Sequence, residues 1–184
     1  TNTTTQLFLI EPSASSAKFL SERFSNNQNI KIFNQGIGDC ESVLKFYEES
    51  DMGLTSSFVE GVSIPTASTS EVSVESLDTF TQKTGIQHIS LLKIDTEGFD
   101  LKALSGAKGL LENHHIDVIQ FEYSNYWKNT KATLGAALNL LSAYGYSTSL
   151  LSPNGLEEFD YQRYGEVFGW MNFVSVSPKF ELLI

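Results

Sequence analysis

The chain has almost no cysteine and a shortage of positive charge, and each lack narrows what it can be. Cys40 is the sole cysteine, so no internal disulfide can close and no cysteine-rich zinc site can be built. A reducing, cytoplasmic setting is the expectation. Lysine and arginine number 12 against 22 aspartates and glutamates, for a net charge of −10 at pH 7. Such an excess repels nucleic-acid phosphates and anionic lipid headgroups unless a local basic patch overrides it, and no such patch occurs. Neither nucleic acid nor membrane is therefore expected as a partner. Apolar runs are short: Leu7 to Ile10 falls far below the ~20 residues that span a bilayer. No leader pattern opens the chain; a polar run from Thr1 leads straight into a strand, which reads as a cut edge. Asn2-Thr3-Thr4 fits a glycosylation acceptor, a three-residue pattern that is frequent by chance.

What is present is ample for a core. Of 184 residues, 41% are hydrophobic and 12% aromatic, and only 18% are charged. That composition predicts one globular domain over residues 1–184. Strand and helix signals alternate, the mark of an α/β fold with parallel strands and crossover helices. Leu7–Ile10, Ile30–Phe33, Ile89–Ile94 and Ile116–Phe121 are short continuous apolar runs, expected to lie parallel in one sheet. Between them, Ser13 or Ser15 caps a helix whose Ala17, Leu20 and Phe24 share a face. Gly36 to Asp39 reads as a tight turn and Val43 to Tyr47 as a sheet edge or hairpin. Glu48 to Ser70 reads as a loop or cover, Val72 and Val74 as a short extended piece, and Leu77 with Phe80 as a brief helix closed by Gly85. Leu101, Leu104, Ala107 and Leu111 line another helix, and Leu134 to Tyr144 a further one ended by Gly145. Two last strands, near 146–151 and 167–176, flank a Pro153-Asn154-Gly155 turn.

Three of the strands end at acids: Glu11, Asp95 with Glu97, and Glu122. In open parallel sheets ligands bind outside the carboxyl ends of the strands, so these carboxylates converge on one crevice. Glu11 is positioned either to accept hydrogen bonds from the ribose of a nucleotide-like cofactor or to cap its own helix. Asp95 and Glu97 precede a helix with Gly98 and can likewise be caps. Tyr123, Asn125, Tyr126 and Trp127 after Glu122 suit a substrate pocket, with Trp127 leaning to the core. His88, His114 and His115 all precede strands, which assigns them to the amino-terminal edge and excludes them from the crevice.

The segment Leu91-Leu92-Lys93-Ile94-Asp95-Thr96-Glu97-Gly98-Phe99-Asp100-Leu101-Lys102-Ala103-Leu104-Ser105-Gly106-Ala107 closely resembles the central signature of the FkbM family of methyltransferases. Phe8-Leu9-Ile10-Glu11-Pro12 resembles the family's ribose-binding strand end, and Asn34-Gln35-Gly36-Ile37-Gly38-Asp39 its adenine-side loop. Ser56-Ser57, Val74 with Ser76-Leu77-Asp78, and Val118 to Tyr123 follow in the family's order. The resemblance implies a Rossmann-like class I methyltransferase sheet, mostly parallel with a C-terminal antiparallel strand pair. It implies S-adenosylmethionine as cofactor, bound by Glu11, Pro12, Gly36, Ile37, Gly38, Asp39 and Asp95, and O-methylation of a sugar or natural-product hydroxyl. The family opens with an aspartate-x-glycine-alanine-asparagine turn that has no counterpart before Glu11, so the first glycine-loop strand is missing.

Methyl transfer from a sulfonium is an in-line displacement that asks the protein to orient the acceptor and take its proton. Asp95, Glu97 and Glu122 are the candidate bases. No resident metal is expected as the primary reading; the alternative is that Asp95 and Glu122 hold a divalent cation through oxygen. Two other readings stand beside this one: a non-catalytic fragment or binding module that has lost its cofactor loop, and a nicotinamide-dependent oxidoreductase that shares the acidic strand end.

Overall fold

The structure is a computed structural model that describes residues 5–48, 56–62 and 68–180. Strands β1 (Leu7–Ile10) and β2 (Ile30–Phe33) pair in parallel, with Leu7 opposite Ile30 and Ile10 opposite Phe33. Helix α1 (Ala14–Arg23) makes the crossover between them; the Ser13 hydroxyl accepts from the Ser16 N–H at its start, and Ala17 is buried. Strands β3 (Gly36–Gly38), β4 (Ser42–Glu48) and β5 (Ser68–Ser76) form a second sheet in the order β3-β5-β4, β3 parallel and β4 antiparallel to β5. Strands β6 (Ile89–Ile94), β7 (Ile116–Tyr123), β8 (Ser147–Ser152), β9 (Gly155–Glu157) and β10 (Met171–Val176) form a third, in the order β6-β7-β10-β8-β9. Only β6 and β7 run parallel there.

Several expectations need correction. The four apolar runs are parallel in two pairs, β1 with β2 and β6 with β7, but the pairs belong to separate ladders. Each of β1 and β6 hydrogen-bonds to a strand on one side only among the described residues. The sheets are mixed and not mostly parallel, because the C-terminal strands make three antiparallel pairings and β4 with β5 a fourth, against three parallel ones. β1 is not buried on both faces; Leu7 is 48% exposed. Gly36 to Gly38 is a strand, not a tight turn. The helix expected from Leu101 to Leu111 is two, α3 (Asp100–Ser105) and α4 (Lys108–Glu112), broken at Gly106 and Ala107, although Leu104, Ala107 and Leu111 are fully buried as the spacing requires. The last strand begins at Met171, not 167. The segment expected as a loop from Glu48 to Ser70 lies partly outside the described residues, and its end, from Ser68, belongs to β5.

Helix α2 (Leu77–Thr84), closed by left-handed Gly85 as expected, joins α3, α4 and α5 (Leu134–Ala143) in the main core with Ile116, Ile119, Phe121 and Phe173. Strand alternation sends Leu91, Lys93 and Asp95 of β6 and Val118, Gln120 and Glu122 of β7 to the other face. That face is open: Leu91 is 61% exposed. No helix among the described residues is long and apolar enough to cross a membrane.

Two contacts fix the elements around the carboxyl ends of β6 and β7. Gly106 lets the end of α3 touch β3, since a Cβ there would stand 1.9 Å from the Gly38 carbonyl oxygen. Glu166 fastens the segment after helix α6 (Tyr161–Tyr164) to the start of α5, accepting from the Leu134 N–H at 2.9 Å, the Gly135 N–H at 2.9 Å, the Tyr123 hydroxyl at 2.8 Å and the Tyr161 hydroxyl at 2.5 Å. Burial raises its pKa, but these donors outweigh that and hold it below the ordinary glutamate value. The same burial and the same glutamate push the Tyr123 hydroxyl upward.

Two predictions follow from these contacts. Gly106→Ala destabilises by about 1–3 kcal/mol or more, because the facing atom is backbone and cannot swing away, whereas Gly169→Ala, with nothing within 4 Å, leaves the thermal midpoint unchanged. Glu166→Gln lowers the midpoint at pH 7. A depressed carboxylate contributes stability in full above its unfolded pKa of about 4.5 and loses it as pH falls through the lower folded value. The difference between wild type and Glu166→Gln therefore narrows as melts are run at successively lower pH below that point.

Candidate active site

Asp95 directly follows β6 and Glu122 lies one residue before the end of β7, so the parallel register brings both to the carboxyl edge. With Glu97 they form one group: an oxygen from each of Asp95, Glu97 and Glu122 lies within 4.8 Å of the others. Burial raises the Glu122 pKa, and the neighbouring Asp95 charge raises it further, with Lys93 opposing. Lys93 Nζ is 2.5 Å from Asp95 Oδ2. Three carboxylates this close repel unless a proton, the lysine or another cation offsets them. The donor set is all hard oxygen, which suits a divalent cation of the magnesium or calcium type. It suits equally a carboxyl group poised to take a proton.

The turn that carries Asp95 and Glu97 is held from several sides. Glu97 (φ 51°) and Gly98 (φ 95°) are both left-handed, a conformation that costs a non-glycine residue roughly 1–2 kcal/mol. Asp100, 1% exposed, accepts from the Thr96 N–H at 3.3 Å and the Gly98 N–H at 3.2 Å. Burial pushes its pKa up to about 7 against the pull of donors from Thr96 and Gly98. The Ser57 hydroxyl donates to the Glu97 carbonyl at 2.8 Å and the Thr130 hydroxyl to the Gly98 carbonyl at 3.2 Å. Tyr126 packs against Gly98, 3.0 Å from where a Cβ would be. Asp100, Thr130 and Glu166 were not among the residues singled out by pattern. For Asp100 the signal was available, an acid in the first turn of a helix two residues after a glycine; for the other two, no local signal exists.

Glu11 occupies a second group, at the end of β1. Its Oε1 accepts from the Ser13 N–H at 2.8 Å, so it does serve the start of α1. Ser13 and Ser15 donate their hydroxyls to Glu48 at the end of β4. Burial raises the Glu11 pKa, and the Glu48 charge adds to it. The Asn34 amide ties β2 to this strand end, donating to the carbonyls of Glu11 and Pro12 at 2.9 Å each. Gly36 and Gly38 are buried, and added Cβ atoms would meet Phe58 at 2.5 Å and Val74 at 2.8 Å. Their lack of a side chain is thus explained by packing, and Ile37 contributes to the core. Asp39 is exposed and paired with Lys102 at 2.6 Å; burial acts to raise its pKa, but the lysine wins and holds it low. Asp39 and Lys102 edge a cavity of about 200 Å³ beside Gly98 and Thr130, below the roughly 300–1,000 Å³ of ordinary small-molecule pockets.

His88, His114 and His115 lie before β6 and β7, at the amino edge, and His88 bonds Asp117 at 2.8 Å. Trp127 is fully buried between Phe121 and Tyr123. Beside Glu122, buried Ser124 Oγ, Asn125 Oδ1 and Trp127 Nε1 have no hydrogen-bond partner among the described residues. Each such group costs about 1–3 kcal/mol, so this end of β7 has unmet polar capacity.

The family model described as Methyltransferase FkbM domain matches residues 2–148. No curated protein sequence matches the chain. Among solved structures, methyltransferase FkbM from Methylobacillus flagellatus KT superposes with a TM-score of 0.55 at 16% identity, covering 93% of this chain and 36% of its own. At that identity the likeness concerns the fold, and this chain spans little more than a third of that protein's length. With its domain matched over most of the residues that build the carboxyl-edge site, the chain belongs to the FkbM family of methyltransferases.

Proposed function

We propose that this chain carries the methyl-transfer site of an S-adenosylmethionine-dependent enzyme that methylates a hydroxyl oxygen of a sugar or natural product. The observation that carries the reading is the convergence of Asp95, Glu97 and Glu122 within 4.8 Å at the carboxyl edge, where ligands of open parallel sheets bind. When bound, the cofactor supplies a methyl group already activated on sulfonium. The protein's part is to hold the acceptor hydroxyl and accept its proton. Glu122 suits that task, because burial and the Asp95 charge make it a stronger base than an ordinary carboxylate. Glu97 and Asp95 orient the hydroxyl by accepting its neighbours' hydrogen bonds. Glu11 fits the ribose end: one of its oxygens takes the Ser13 N–H, and a carboxylate has capacity for further donors. Family membership favours methyl transfer over the nicotinamide reading.

The cofactor site is completed by a strand and glycine-rich turn inserted between β1 and β6. Both strands have an edge without a ladder partner among the described residues, and an open edge is an invitation to pair. Right-handed crossovers run from β1 to β2 and from β6 to β7 in opposite directions away from those edges, so their helices fall on opposite faces. A helix leading from the inserted strand into β1 would lie on the side of α1, over the open face of Leu91 and Val118.

Calorimetric titration of S-adenosylmethionine into residues 1–184 and into the chain extended before Thr1 by such a strand and turn tests this. The extended chain is expected to bind about tenfold tighter or better, a gain of roughly 1.4 kcal/mol or more. Equal affinity would refute the need for the turn. Binding by neither would favour the non-catalytic module, which the open edges also suit.

A further inference from the structure

Asp100 is the most deeply buried acid among the described residues, 1% exposed, and it touches neither the edge of the site nor solvent. Its two oxygens divide between two backbone donors, Oδ1 with the Thr96 N–H and Oδ2 with the Gly98 N–H. Those donors flank Glu97, whose left-handed φ of 51° is unfavourable for a residue with a side chain. The strand therefore ends, reverses and presents Asp95 and Glu97 toward Glu122 only while something accepts both N–H groups from below. A carboxylate does this with two acceptor atoms. An asparagine of the same shape offers one acceptor and one donor, and the donor would face an N–H.

We infer that Asp100 is a positioning residue: its carboxylate, by bridging the N–H groups of Thr96 and Gly98, sets where the Asp95 and Glu97 carboxylates stand relative to Glu122. The consequence for methyl transfer rests on the function proposed above, but the geometric claim does not. The other described restraints on the turn act elsewhere, Ser57, Thr130 and the Phe99 N–H on carbonyls and Tyr126 by packing, so none of them can replace the lost acceptor.

The test compares Asp100→Asn with Thr133→Ala, which removes the cap accepting from the Ala136 N–H at 3.1 Å and so lowers stability away from this turn. The side-chain carboxyl carbons of Asp95, Glu97 and Glu122 are followed by NMR at one pH at which both variants are folded. In Asp100→Asn all three signals move; in Thr133→Ala they stay. Turnover of any acceptor found for the wild-type chain falls on the order of a hundredfold in Asp100→Asn, the scale of a misplacement near 1 Å. Carboxyl signals that move in a chain extended by the strand and turn proposed above, yet methylating nothing, would leave the positioning role standing and overturn the function. Signals and turnover unchanged in a folded Asp100→Asn would overturn the positioning role. Should Asp100→Asn fail to fold, through-hydrogen-bond couplings from the Thr96 and Gly98 nitrogens to the Asp100 carboxyl carbon in wild type decide the geometry: their presence supports it and their absence overturns it.

Discussion

The site depends on a left-handed turn. β6 ends at the carboxyl edge in a chain reversal that includes a non-glycine residue at positive φ, and the candidate carboxylates Asp95 and Glu97 hang from it. Such a conformation persists only when its surroundings over-determine it. Here they do so by hydrogen bonds to four consecutive-turn groups and by an aromatic ring against Gly98. Two of the restraints come from remote parts of the chain, Ser57 after β4 and Thr130 at the close of the 3-10 turn after β7, while Asp100 begins α3 directly after the turn. The candidate edge is thus the meeting point of otherwise separate ladders.

A second constraint is electrostatic. An acidic protein concentrates three carboxylates in one spot, and Lys93 is ion-paired to the group through Asp95. Burial raises the Glu122 pKa, and the Asp95 charge beside it raises it further. In the function proposed above, that shift makes Glu122 the group best matched to a hydroxyl proton. Near β1 the same physics recurs on a smaller scale between Glu11 and Glu48, where serine hydroxyls and a helix start absorb the charge.

Much of this was legible from pattern. Ser13 as a cap, Gly85 as a helix stop, the burial of Leu104 and Leu111, and the edge occupied by each histidine all follow from local rules of spacing and polarity. The meeting of Asp95 with Glu122 followed from strand direction alone. What pattern could not yield is set by distant contacts. Gly36 and Gly38 look like a turn because the rings and branched side chain that crowd them, Phe58, Val74 and Phe99, are remote in sequence. Glu166 looks like any loop acid until α5 is folded against it, 31 residues away. The division of the apolar runs into two ladders was hidden because an apolar run declares that it is a strand but not which edge it keeps open.

The central claim is that ligand chemistry happens at the carboxyl ends of β1, β6 and β7, where Glu11, Asp95, Glu97 and Glu122 lie. Photolabelling with methyl-tritiated S-adenosylmethionine, followed by peptide mapping of the extended chain, tests it most directly. The account predicts label in the peptides carrying Glu11, Asp95 to Gly98 or Glu122 to Trp127, all at those strand ends. Label confined to the peptides around His88, His114 and His115, at the opposite ends of the same strands, would contradict it.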